Sequence, residues 1–285
     1  MTRQHIDIHR TVAITGGARG IGLAIGAAFA RAGASVALGD LDAALAEESA
    51  AALSASTGGT AHGLPLDVTH RESFDAFLTE AESRLGPLDT LVNNAGIMPT
   101  GLLVDEDDEI TDKLIAINVG GVITGCKLAI AHLSAPNARI VNIASLAGVS
   151  AHRGVATYCG TKHAVIGFSD ALRRELVDKG IGVTVVLPGL VRTELSAGNS
   201  TPKWLLPVSE VDPDDVAAAV VDAVERERDR VVVPRALGAM LAVMALIPTG
   251  PRQRLERAAG LDTAFTATDV AARARYHARL RNDVR

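Results

Sequence analysis

The chain has 285 residues, 48% of them hydrophobic and 21% charged, and a formal net charge of −5. That length buries enough surface for a core without disulfides or metal, and the acidic balance points away from nucleic acid. The two cysteines, Cys126 and Cys159, stand apart with no CxxC or Cys/His cluster, which argues against a zinc site or a disulfide scaffold and fits a reducing, cytoplasmic setting. Met1 to Arg10 holds charged residues and no apolar core of signal-peptide length. No run is expected to reach the roughly 18 apolar residues of a membrane span.

From Thr11 to Pro234, apolar β-type runs alternate with stretches of helical period. Strands are expected at Thr11–Thr15, Ser35–Gly39, Ala61–Leu66, Thr90–Asn93, Arg139–Ala144, Gly182–Leu187 and Arg230–Val233. Most are continuously apolar rather than alternating, the pattern of strands covered on both faces. Helices are expected between them at Gly20–Ala32, Asp42–Ser56, Arg71–Leu85, Asp112–Leu133 and about Val155–Lys179, with another from Pro213 to near Arg228. Strand–helix–strand repetition at this spacing gives right-handed crossovers and a parallel sheet with helices on both faces. The fold class is therefore α/β, a doubly wound Rossmann-type domain. Its core spans about residues 11–234, followed by a C-terminal helical extension, with no second domain or linker.

Thr15-Gly16-Gly17-Ala18-Arg19-Gly20-Ile21-Gly22 follows the first strand and opens the first helix. Glycines let backbone approach a pyrophosphate, which the free N–H groups of a helix N-terminus then stabilise. Asp40 ends the second strand twenty residues after Gly20, where a carboxylate accepts hydrogen bonds from ribose hydroxyls and repels a 2′-phosphate. This favours NAD over NADP. Arg19 is the counter-indication, because a guanidinium in the loop can pair with a 2′-phosphate. Asp67, in Leu66-Asp67-Val68, has two readings: contact with adenine, or an acid at a helix start.

Tyr158 and Lys162 lie one turn apart on one helical face. A free phenol titrates near ~10, and a neighbouring ammonium favours its phenolate. Ser145 precedes Tyr158 by thirteen residues, at the end of the fifth strand, where its hydroxyl can polarise a substrate oxygen. Cys159 reads as a helix-packing residue rather than a nucleophile.

Together these residues resemble the short-chain dehydrogenase/reductase family, over about Thr11 to Pro234. TGxxxGxG is present as Thr15 to Gly22, NNAG as Asn93-Asn94-Ala95-Gly96, and YxxxK as Tyr158/Lys162. The helical Asn is Asn118, the Ser is Ser145, and the Pro-Gly turn is Pro188-Gly189. The glycine spacing is similar to that of the shorter, one-domain branch. The resemblance implies oxidoreduction between an alcohol and its ketone, with a tetrad of Asn118, Ser145, Tyr158 and Lys162. Tyr158 would be the acid/base, and Lys162 would hold the nicotinamide ribose. Ser145 would orient the carbonyl, and Asn118 would hold a proton-relaying water. The cofactor-binding set would comprise Gly16, Arg19, Gly20, Ile21, Gly22, Asp40, Asp67, Val68, Asn94, Ala95 and Gly96. Tyr158 and Lys162 would contribute to it, and Pro188, Gly189, Val191 and Thr193 would sit near the nicotinamide carboxamide. A homodimer or homotetramer using Asp112–Leu133 and Val155–Lys179 is also implied. The alternatives are an NADP(H)-dependent carbonyl reductase and a dinucleotide-sensing protein without turnover; the intact tetrad speaks against the second.

The resemblance places the substrate-covering loop at Leu190 to about Val211, including Leu195, Trp204, Leu205 and Leu206. With Ile97, Met98, Ala147 and Val149 it implies an apolar pocket with no Arg or Lys to grip an anion, suited to a neutral small-molecule alcohol or ketone. His152 and Arg153 read as solvated loop residues. Beyond Pro234 the chain continues for about fifty residues. Ala236–Ile247 is wholly apolar or glycine, and Gly250–Arg285 carries eight Arg against four Asp/Glu. Two readings stand for this extension: a helix packed on the core or on a neighbouring subunit, or shallow membrane-surface contact.

Overall fold

The computed structural model describes residues 10–133, 137–196, 210–259 and 265–266. β1 (Thr11–Thr15) runs through the glycine loop into α1 (Gly20–Arg31). β2 (Ser35–Asp40), α2 (Ala43–Thr57), β3 (Ala61–Pro65) and α3 (Arg71–Leu85) follow. The chain then returns through β4 (Thr90–Asn93), α4 (Asp108–Ile115), a π-helical turn (Ala116–Gly121) and α5 (Val122–His132). β5 (Arg139–Ile143), α6 (Ala156–Glu175), β6 (Gly182–Pro188), β7 (Leu190–Val191), β8 (Glu210–Val211), α7 (Pro213–Glu225) and β9 (Arg230–Val233) come next. Two helices, α8 (Arg235–Met244) and α9 (Thr249–Ala258), follow the last strand.

Seven strands form one sheet in the order β3-β2-β1-β4-β5-β6-β9, every neighbouring pair parallel. The expected doubly wound α/β fold is present. The inner strands β1, β4, β5 and β6 are almost wholly buried because both faces are covered, whereas the edge strands β3 and β9 leave Pro65 and Arg230 exposed. On β1, Val12 and Ile14 join the core formed with Ile25, Phe29, Val216 and Val220 of α1 and α7. Ala13 points the other way, into the core of Phe74, Phe77, Leu128 and Val165 from α3, α5 and α6. β6 divides likewise, Val183, Val185 and Leu187 on one side and Val186 on the other. Strand order reverses between β1 and β4, so a crevice opens there at the carboxyl ends of the strands, the usual place for a ligand in such a sheet.

Three expectations need correction. The predicted Asp112–Leu133 helix starts four residues earlier, at Asp108, with Asp108 and Glu109 in its first turn, where carboxylates suit the helix dipole. Asp108–His132 is then 25 residues long and apolar enough to span a membrane, against the expectation that no run reaches that length. Its apolarity is used for packing: Val122, Cys126, Leu128 and Ala129 are all buried in the core beside the sheet. Third, Leu190–Val191 and Glu210–Val211 pair as a two-stranded parallel sheet of their own, which the sequence did not announce. Trp204, Leu205 and Leu206 of the expected covering loop lie outside the described residues, as does most of the arginine-rich stretch after Gly250.

Candidate active site

The glycine loop is shaped by close backbone approach. Gly16 sits at φ 63°, where a Cβ would come within 2.9 Å of Ala95 Cα. At Gly22 a Cβ would run into the Gly16 carbonyl oxygen. Asn94 fixes the loop from β4: its Nδ2 donates to the carbonyls of Thr15 and Gly16, both at 3.0 Å. In return Thr15 Oγ1 accepts from the Asn94 and Ala95 N–H groups, each at 3.0 Å. The N-cap of α1, Arg19, makes no side-chain capping bond, and the helical bonds begin with Leu23 N–H to Arg19 O at 3.2 Å, so the N–H groups of the first turn, at Gly20 and Ile21, suit an anion.

Asp40 is built into the same loop. Its Oδ2 accepts from Ala18 N–H at 3.1 Å and its Oδ1 from Asp42 N–H at 3.2 Å. Arg19 Nη2 pairs with Asp42 Oδ2 at 3.0 Å, and Asp42 also caps α2 by accepting from Leu45 N–H at 3.1 Å. Asp42 was not singled out from the sequence, although a helix-capping acid two residues after Asp40 was a readable signal. Asp67 is occupied in its own turn, accepting from Thr69 Oγ1 at 2.6 Å and Thr69 N–H at 2.9 Å, with His70 Nδ1 at 3.0 Å. Burial alone would raise its carboxyl, but these hydrogen bonds hold it below the usual carboxylate range. Its carboxylate is thus engaged by the turn that precedes α3. Val68 is buried, and its side chain lies where a Cβ on Gly121 would touch it at 3.0 Å.

Of the four expected tetrad residues, Ser145, Tyr158 and Lys162 line one cavity, and Asn118 stands behind its wall. Asn118 lies in the π-helical turn, fully buried. Its Oδ1 accepts from Ile97 N–H at 2.9 Å, and its Nδ2 donates to Ile97 O at 3.0 Å and Thr161 Oγ1 at 3.2 Å. The amide clamps the NNAG segment to α6, and Gly96 fits between Asn118 and Lys162: a Cβ there would be 3.1 Å from Asn118 Oδ1 and 3.7 Å from Lys162 Nζ. Asn93 faces the core instead, donating to Asn142 Oδ1 at 2.9 Å. Lys162 Nζ donates to Ile143 O at 2.9 Å and lies 5.7 Å from the Tyr158 ring centroid. Burial lowers the Lys162 ammonium to about 8. Ser145 Oγ accepts from Ala147 N–H at 3.1 Å and reaches Pro188 O only at 3.5 Å. Its acceptor side is therefore engaged, and its O–H can turn to another oxygen. Burial pushes the neighbouring Cys159 thiol up, which fits packing rather than nucleophilic work.

Pro188 and Gly189 close the crevice from β6, Gly189 N–H donating to Val233 O at 2.6 Å. Thr193 reaches over the glycine loop, its Cγ2 3.5 Å from where a Gly20 Cβ would stand. A cavity of about 810 Å³ brings together Ile21, Asn94, Gly96, Ser145, Tyr158, Lys162, Pro188, Gly189, Val191 and Thr193. Gly16, Arg19, Gly20, Gly22, Asp40, Asp67, Val68, Ala95 and Asn118 are not in its lining. They frame the groove on the β1–β3 side or stand behind the wall.

The substrate side departs from expectation in three ways. Met98, Ala147 and Leu195 line the cavity, but Ile97 and Val149 do not, and Val149 is 43% exposed. His152 is no solvated loop residue: it lines the cavity, burial lowers its imidazole, and its ring meets that of Phe265 at a tilt of 53° with centroids 5.4 Å apart. Nor is the pocket free of cations, since Arg153 and Arg257 reach its rim, both exposed. The sequence also missed Val155 and α8, which lines the cavity through Leu237, Met240, Leu241 and Met244.

A family model described as short chain dehydrogenase matches residues 10–204, and the chain belongs to that family of oxidoreductases. Among the curated relatives is 2-(S)-hydroxypropyl-CoM dehydrogenase 3 of Xanthobacter autotrophicus, 38% identical over 227 residues, covering 75% of this chain and 88% of that protein. The probable oxidoreductase EphD of Mycobacterium tuberculosis is 34% identical over 260 residues, 85% of this chain. The chain spans only 44% of EphD's length. A dehydrogenase/reductase structure from Sinorhizobium meliloti superposes with TM-score 0.74 at 28% identity, covering 80% of this chain and 95% of that one. A Burkholderia phymatum short chain dehydrogenase/reductase solved in complex with NAD shares the fold, with TM-score 0.74 at 24% identity over 84% of this chain and 94% of that one.

Proposed function

We propose that the protein is an NAD(H)-dependent oxidoreductase interconverting an apolar secondary alcohol and its ketone, with Tyr158 as the acid/base. The observation that carries this reading is that Ser145, Tyr158 and Lys162 share one largely apolar cavity with Ile21, Asn94 and Gly189 of the dinucleotide crevice. A dinucleotide suits the residues present: backbone at Gly16 and Gly22 that a Cβ would obstruct, an uncapped helix start, and carboxylates of Asp40 and Asp42 beyond it. When bound, its nicotinamide supplies or accepts the hydride.

The chain's own residues then position and protonate. Ser145 donates its O–H to the substrate oxygen while Ala147 N–H holds the Oγ in place. Tyr158 gives a proton to that oxygen during reduction and takes it back during oxidation. Lys162 has three N–H donors; Ile143 O holds one, leaving two for ribose hydroxyls, and its charge stabilises a phenolate at Tyr158. Asn118, behind Gly96, spends its side chain on Ile97 and Thr161 and so holds the wall beside Lys162 in place; with both Nδ2 hydrogens taken, a proton-relaying water would need another anchor.

Two acids at the adenosine end support NAD. Asp40 is oriented by Ala18 and Asp42 N–H groups, and Arg19, the one loop cation, is paired with Asp42. A homodimer or homotetramer is supported by α6, whose Gly160, Ala164 and Gly167 form an exposed flat face on which a second helix can pack closely. Turnover of a panel of secondary alcohols and ketones, run with both NAD(H) and NADP(H), tests the reading. Preference for NADP(H) would transfer the 2′-phosphate to Arg19, and dinucleotide binding without any turnover would make the chain a sensor.

A further inference from the structure

The family match ends at residue 204, yet the cavity's outer wall is built from residues beyond it. α8 contributes Leu237, Met240, Leu241 and Met244. It is seated on β9: at Gly238 a Cβ would run into Val232 Cγ1, so only glycine lets the helix lie this close. Leu237 is buried in the main core and Leu241 packs against it, which fixes the helix from below while its methionines face the cavity. From the opposite side the chain returns at Phe265, whose ring packs at a tilt against His152 with centroids 5.4 Å apart. Phe265 O lies 2.9 Å from where a Cβ on Gly154 would stand, and Gly154 has φ 85°. The extension thus meets the cavity from two sides: β9 on one, the loop before Tyr158 on the other.

We propose that this C-terminal extension is a specificity element of the enzyme, and that Met240, Met244 and Phe265 select an alcohol or ketone with a long apolar arm. The inference rests on the alcohol/ketone reading above. The cavity of about 810 Å³ is shared with the nicotinamide end of the dinucleotide along Ile21, Asn94 and Gly189, and a short ketone held at Ser145 and Tyr158 would leave the outer apolar wall of Met240, Met244 and Phe265 uncovered. Methionine suits an extended alkyl arm, because its three rotatable bonds let it follow an irregular chain.

The test is kcat/KM for 2-butanone, 2-hexanone and 2-octanone with NADH on the full chain, with Kd for the same ketones measured calorimetrically on the NADH-loaded protein. Each methylene buried against the wall contributes up to about fourfold. The expected result is a rise of at least tenfold from 2-butanone to 2-octanone, in kcat/KM and in affinity. In a Met240→Ala/Met244→Ala variant the 2-octanone to 2-butanone ratio should fall at least tenfold. Val243→Ala, on the outer face of α8 where Val243 is 63% exposed, should leave that ratio unchanged. A ratio flat with chain length, or equally altered by Val243→Ala, would overturn the proposal while leaving ketone reduction standing. Length-dependent Kd values with no turnover would do the reverse, keeping the wall and rejecting the reaction.

Discussion

Lys162 is a charged group held in the interior at a cost to stability, and replacing it should show that cost. Its ammonium is lowered from 10.5 to about 8 by burial, a difference worth on the order of 3 kcal/mol at about 1.36 kcal/mol per pH unit. The sign follows from proton counts. Between pH 8 and 10.5 the unfolded chain holds a proton on Lys162 that the folded chain has released, so stability rises with pH across that window. Below pH 8 the penalty is present in full, and above 10.5 it is gone. Lys162→Met keeps the side-chain length without the charge, but it strips the 2.9 Å donor from Ile143 O, which takes back roughly 1 kcal/mol or more. The net expectation at pH 7, without dinucleotide, is a gain of about 1–2 kcal/mol, or ~2–6 °C in Tm for a chain of this size. Turnover should disappear, a trade of activity for stability. Melting curves for both proteins at pH 7 and at pH 10.5 supply the check, because the hydrogen-bond loss is common to both pH values and the charge penalty is not. A variant less stable by the same amount at both would refute the buried-ammonium account.

The wild type should prefer NAD over NADP by at least tenfold in kcat/KM. Asp40→Ala should narrow that preference about tenfold (~1.4 kcal/mol) and lower stability slightly, since Ala18 N–H loses its acceptor. Equal NAD and NADP use in the wild type would reject the role given to Asp40. Sedimentation at micromolar concentration should show a dimer or tetramer; an active monomer would exclude an assembly role for α6. Truncation after Pro234 uncovers the core at Leu237, so melting should fall by the equivalent of about 1.5–3 kcal/mol. Unchanged melting with loss of liposome flotation would instead assign α8 and the turn after it, whose Val243 and Leu246 are 63% and 83% exposed, to a membrane surface.

The site was legible where chemistry dictates residue type locally. A backbone approach such as that of Gly22 to Gly16 O tolerates only glycine, and Tyr158 and Lys162 are joined by helical spacing alone. The inner strands were legible because both faces are buried, as at Val12, Ala13 and Ile14. Elements set by distant packing were not. An apolar segment such as Ala236–Ile247 carries no periodicity to say which face goes inward; the i,i+4 pair Leu237 and Leu241 was the only hint. The π-helical turn at Ala116–Gly121 leaves no local mark, since it is shaped by the clamp from Asn118 to Ile97. His152 reads as a polar loop residue because the ring it packs against, Phe265, lies 113 residues further on. Pairing of Leu190–Val191 with Glu210–Val211 is too short to show as strand periodicity.

The central claim is that Tyr158 moves the proton while the dinucleotide is held elsewhere, by the glycine loop and Asp40. Tyr158→Phe tests it most directly, with turnover and NADH affinity measured on the same preparation. The account predicts that kcat falls at least a hundredfold, in line with removal of a general acid/base, while the Kd for NADH stays within a few-fold. More than a tenth of the wild-type kcat remaining in a correctly folded variant would contradict it.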